Sequence, residues 1–194
     1  VWIQNRERDD VMRKRILSIL LCLVMVVGLF PTMAFAADAS GATTGNGTKS
    51  DPYIVTTFEE LKAALEKDAM EMQYIKVPSG TKINKLLKPE TYSTAIAATR
   101  QKTLIVDGSI TVAGAVGSQV LDSLFTINGN SACLNIKGNG TLTFSANGSN
   151  GSNAVVHVEN NATLNVSGGV TLSGKFNAAV YGMAVYNRGG TVNI

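Results

Sequence analysis

Leu134-Asn135-Ile136, Leu164-Asn165-Val166 and Val192-Asn193-Ile194 are one triplet written three times, with the asparagines 30 and 28 residues apart. Each is apolar, polar, apolar, the two-residue alternation of a strand with one buried face. A strand precedes each triplet: Phe125-Thr126-Ile127, Val156-His157-Val158, Ala184-Val185-Tyr186. Another follows: Leu142-Thr143-Phe144 and Val170-Thr171-Leu172. The spacing aligns Ile127, Val158 and Tyr186, and likewise Thr143 with Thr171. Upstream, Ile75-Lys76-Val77 lies 29 before Leu104-Ile105-Val106, which lies 30 before Leu134-Asn135-Ile136. Ile96 and Ala98 lie 29 before Phe125 and Ile127, and Ile110-Thr111-Val112 lies 32 before Leu142-Thr143-Phe144. The repeat unit is three short strands joined by Gly/Asn/Ser turns.

Periods of ~20–50 residues mark solenoids, propellers or arrays. A propeller blade needs ~40–45 residues, and no segment after Thr103 carries a sustained helical stripe. The expected fold is all-β: a parallel β-helix of three-strand coils of 28–32 residues. Like strands would stack at ~4.8 Å. The predicted inward column is Val106, Ile136, Val166, Ile194. The predicted outward columns are Ile105, Asn135, Asn165, Asn193, and Thr111, Thr143, Thr171. Like amides in a column can hydrogen-bond along the stack. Asn-Gly at 128, 139, 147 and 150 is a hairpin signal and favours an antiparallel sandwich. The recurrence of one triplet outweighs it, because a sandwich gives no reason for a fixed period.

The chain has 194 residues, 45% apolar and 16% charged, enough to bury a core. Residues 1–11 precede Met12-Arg13-Lys14-Arg15 and read as a spurious extension. Residues 12–36 read as a secretory signal: that basic start, the apolar run Ile16 to Phe30, then Ala34-Phe35-Ala36 for cleavage. The run is short for a membrane span, so no membrane association is expected after cleavage. The signal resembles those of Gram-positive surface proteins, which implies a secreted or cell-surface location. Residues 37–51 read as a linker. Residues 52–73 read as a strand, Pro52 to Val55, and a helix of about three turns opened by the capping box Thr57-Phe58-Glu59-Glu60. Phe58, Leu61, Leu65 and Met72 form its stripe, and it is expected to lid the N-terminal strand edge. Residues 74–194 are the solenoid, expected to continue beyond Ile194.

From Ala37 onward there are twelve basic and eleven acidic residues, a balance that gives no footprint for nucleic acid. Cys133 is the sole cysteine after the signal, so no intrachain disulfide is expected.

Signal, linker, capping helix and coils of L-x-V-x-G type together resemble the right-handed parallel β-helix proteins of the pectate-lyase-like superfamily. The resemblance covers roughly Pro52 to Ile194. It implies right-handed coils and a link to polysaccharides as lyase or hydrolase. Hydrolases need paired carboxylates, and lyases of this kind hold Ca²⁺ with several. After Thr103 the only acids are Asp107, Asp122 and Glu159, and the predicted register puts no two on one coil and face. No catalytic residue, cofactor or metal set is expected within this stretch.

His157, the only histidine, is expected to face outward beside Thr126 and Val185 as a solvated strand residue. Cys133 is expected to be a small corner residue with no basic partner to activate it. The longer connections run from third strand to next first strand and stack along one edge. Such edges often bind ligands. Tyr92, Gln119, Asn147, Asn150, Phe176 and Tyr181 are the candidates for a glycan, with Asn153 beside them; the plainer expectation is that these are variable loops, with Phe176 and Tyr181 packed against the stack. Asn-x-Ser/Thr triplets, among them those at 46, 139, 147, 150 and 161, are explained by turn composition. Two functions stay open: a non-catalytic surface adhesin or glycan-binding stalk, and the front of a polysaccharide lyase or glycoside hydrolase whose catalytic coils follow residue 194.

Overall fold

The computed structural model describes residues 43–87, 94–114, 122–146, 152–176 and 181–194. They open with a hydrogen-bonded turn, where the amides of Asn46 and Gly47 donate to the Asp51 carbonyl and the Ile54 amide to that of Thr44. The short strand β1 (Tyr53–Ile54) and helix α1 (Phe58–Glu66) follow. The capping box forms as expected. Thr57 Oγ1 accepts from the Glu60 amide at 3.2 Å, and Glu60 Oε2 accepts from the Thr57 amide at 3.1 Å. Phe58, Leu61, Ala64 and Leu65 are buried against the first strands. The helix ends at Glu66, so Met72 lies outside it, and Thr103 Oγ1 donates to its sulfur at 3.4 Å.

Three parallel sheets then wind into a β-solenoid. The first holds β1, β2 (Gln73–Val77), β5 (Gln101–Val106), β8 (Cys133–Gly138), β11 (Thr163–Gly168) and β14 (Thr191–Asn193). The second holds β3 (Lys82–Leu87), β6 (Ser109–Gly114), β9 (Thr141–Ala146) and β12 (Thr171–Phe176). The third holds β4 (Thr94–Ala98), β7 (Ser123–Asn128), β10 (Ser152–Glu159) and β13 (Tyr181–Arg188). Every pairing between these strands is parallel, which disposes of the hairpin reading of Asn-Gly.

The core is a stack of like positions. In the first sheet Ile75, Leu104, Ile136 and Val166 lie in register. In the second, Ile83, Ile110, Leu142 and Leu172 do. In the third, Ile96, Phe125, Val156 and Val185 do. Burial is complete in the middle windings and partial at Val166, Leu172 and Val185.

Three register predictions fail. Leu104, not Val106, pairs with Ile136, and Thr103, not Ile105, pairs with Asn135. Thr171 pairs with Thr141, while Ser173 takes the place beside Thr143. Both are two-residue slips, which leave inside and outside unchanged and are invisible to the apolar pattern. The third is a slip of one: Val158 pairs with Asn187, and Tyr186 pairs with His157. Ala184-Val185-Tyr186 is apolar throughout, so alternation had nothing to fix it.

The corners fix register instead. At Gly138-Asn139-Gly140 the chain passes the preceding winding so closely that a Cβ on Gly140 would sit 2.0 Å from the Gly108 carbonyl oxygen. The amide of Gly140 donates to Val106 at 2.7 Å, and that of Gly169 to Gly138 at 2.8 Å, so backbone pairing continues around this corner.

Candidate functional site

The outward surfaces of the stack carry two different polar arrays. On the first sheet an amide ladder runs along the solenoid. Asn193 Nδ2 donates to Asn165 Oδ1 at 2.6 Å, Asn165 Nδ2 to Asn135 Oδ1 at 2.7 Å, and Asn135 Nδ2 to Thr103 Oγ1 at 3.2 Å. The ladder predicted for Asn135, Asn165 and Asn193 therefore forms, and its hydrogen-bonding capacity is largely spent on itself. A second set of amide bonds joins the corners before it, with Asn160 donating to Asn128 and Asn161 to Asn130, both at 2.9 Å. Asn160 and Asn161 have φ of 49° and 64°. Asparagine tolerates that region better than most residues. Sequence reading missed this corner set, although an Asn-Asn pair one winding beyond Asn128 and Asn130 was its signal.

On the second sheet Ser109, Thr141 and Thr171 form one column and Thr111, Thr143 and Ser173 the next. Among the described residues no side-chain hydrogen bond within the protein engages these six hydroxyls. They are half-buried to exposed.

Of the predicted edge residues, Tyr92, Gln119, Asn147 and Asn150 lie outside the described residues. Tyr181 opens β13, its backbone paired with Ser152, and its side chain is outside the description. Phe176 is half-buried and meets the fully buried Phe144 edge-on, ring centroids 5.9 Å apart at 66°, so its ring extends the core. Asn153 is not on the outer edge at all: it is fully buried, and neither polar atom of its side chain has a hydrogen-bond partner.

The acids are dispersed. Asp107 lies 3.4 Å from Lys76 Nζ, and Glu159 accepts from Asn128 Nδ2 at 3.4 Å. Burial pushes the Asp122 carboxyl above its usual range, and the nearby His157 partly offsets this. His157 faces outward beside Thr126 as expected, but it is 9% exposed rather than solvated, with the Tyr186 ring 5.0 Å away. Cys133 is half-buried beside the amide ladder, and burial raises its thiol pKa, the opposite of activation. Among the described residues no group of three His, Cys, Asp or Glu could hold a metal ion.

One unexpected charge lies inside. Lys102 is fully buried in register with Leu134, and its Nζ donates to the Lys67 carbonyl at 2.6 Å beyond the end of α1. Thr99 Oγ1 donates to the same carbonyl at 3.1 Å. The pair closes a helix end that has no basic residue in its last turn.

Comparison with protein-family models, with curated proteins and with solved structures found no match for this chain.

Proposed function

We propose that this chain belongs to an exported, non-catalytic cell-surface protein, an adhesin-like or glycan-binding stalk built on a β-solenoid. In this reading the coils are right-handed and of the pectate-lyase-like type. The observation that carries it is the outer surface: in-register columns of uncharged hydroxyls and amides, with the acids scattered and two of them already engaged by neighbours. A repeating neutral polar surface suits a repeating neutral ligand, and polysaccharides are such ligands. The basic, apolar, small-residue order of residues 12–36 supports export.

The test is retention of the purified protein on a glycan array and on insoluble cell-wall polysaccharides. Binding to a defined set of glycans is expected. No retention on any of them would defeat the glycan-binding reading and leave a spacer.

A further inference from the structure

Resting on that glycan-binding reading, we propose that the outward face of the second sheet is the binding surface, and that it takes an extended neutral polysaccharide laid along the solenoid axis. The two polar faces differ in what remains available. The amides of Asn135, Asn165 and Asn193 are bonded to one another. The hydroxyls of Ser109, Thr111, Thr141, Thr143, Thr171 and Ser173 have no protein partner among the described residues, yet each can donate one hydrogen bond and accept two.

Their arrangement is periodic in two directions. Strand pairing places the rows ~4.8 Å apart, and alternate residues along one strand stand ~6.7 Å apart. An extended chain laid along the axis therefore meets hydroxyls at a regular interval, one row per winding. The described outward residues of this face include no carboxylate, and Lys82 and Lys175 stand at its two ends. A metal-bridged uronate has nothing to hold it there; a neutral chain does.

The experiment measures co-sedimentation of the whole protein with cellulose, chitin and mixed β-glucan. Wild type is compared with Thr111→Val/Thr143→Val, Thr111→Ser/Thr143→Ser and, on the amide-ladder face, Thr163→Val/Thr191→Val. Valine suits an exposed strand position, and unchanged circular dichroism and melting temperature establish that each variant folds. The expected result is that the first variant binds on the order of tenfold more weakly, while the serine and ladder-face variants bind like wild type. If the first variant binds as wild type does, this face is not the site, and the glycan-binding reading stands without it. If wild type binds none of these polymers, this proposal falls, and the glycan array decides whether the glycan-binding reading falls with it. Ice recrystallisation is assayed in parallel. Inhibition by wild type that is lost in the first variant, with no polysaccharide bound, would make ordered water the occupant and overturn the proposal.

Discussion

Replacing Asn165 by alanine cuts the amide ladder at its middle. Two amide–amide bonds go, the one its Nδ2 donates to Asn135 at 2.7 Å and the one its Oδ1 accepts from Asn193 at 2.6 Å, together with the weaker bond its Nδ2 donates to Cys133 Sγ at 3.6 Å. A net contribution of ~0.5–1.5 kcal/mol per amide–amide bond gives a loss of ~1–3 kcal/mol. Asn193 is exposed and recovers water, whereas Asn135 is half-buried and recovers it less fully, which places the expected loss near about 2 kcal/mol. Asn165→Asp probes the same site differently. An ionised aspartate still accepts from Asn193 but turns an acceptor toward Asn135 Oδ1. Protonation restores the donor, so the folded state favours the protonated acid and raises its pKa. The folded state then binds more protons than the unfolded one, so the variant gains stability as pH falls through the carboxylate range. Urea denaturation followed by circular dichroism measures both variants, and a cycle with Asn135→Ala isolates the coupling, expected at about 1 kcal/mol. An alanine variant within about 0.5 kcal/mol of wild type, together with a pH-independent aspartate variant, would refute the ladder's role.

Three further outcomes are expected. Gly140→Ala destabilises by about 3 kcal/mol or more, because its Cβ meets the Gly108 carbonyl; Gly80→Ala, with φ of +79° but nothing within 4 Å, costs only ~1–2 kcal/mol in the same urea titration. Burial pushes the Lys102 ammonium below its usual pKa; the unfolded chain therefore binds more protons between the folded and unfolded values, and stability rises with pH across that window. Lys102→Met removes that part of the rise, seen by comparing melting curves across alkaline pH, and at neutral pH stays within about 1 kcal/mol of wild type or exceeds it, since Thr99 still caps the Lys67 carbonyl. Thr57→Ala loses its capping bond and about 1 kcal/mol, with hydrogen exchange accelerating first in α1 and the strands it covers.

The sequence carried the period, the faces and the capping box because each depends on local spacing. Leu134-Asn135-Ile136 and its copies announce both an apolar column and an amide ladder. Register was less legible. A two-residue slip between Val106 and Leu104 exchanges one inward residue for another, and only the close corner at Gly138-Asn139-Gly140 decides between them. Lys102 was hidden for a different reason: its burial depends on α1 ending above it, a contact 35 residues away in sequence. The hydroxyl face was half visible. Thr111 and Thr143 share one column in the sequence pattern, but that their hydroxyls have no partner among the described residues is a property of the neighbours, which no local pattern reports.

Disulfide trapping tests the stacking most directly. In a Cys133→Ser background, Thr143→Cys with Ser173→Cys places two thiols on paired positions of adjacent parallel strands, about 4.8 Å apart at Cα and within bridging range. Thr143→Cys with Lys175→Cys sits two residues out of register, at ~8 Å and outside it. The account predicts that mild oxidation links the first pair and not the second. Failure of the first pair to link, or preferential linking of the second, would contradict it.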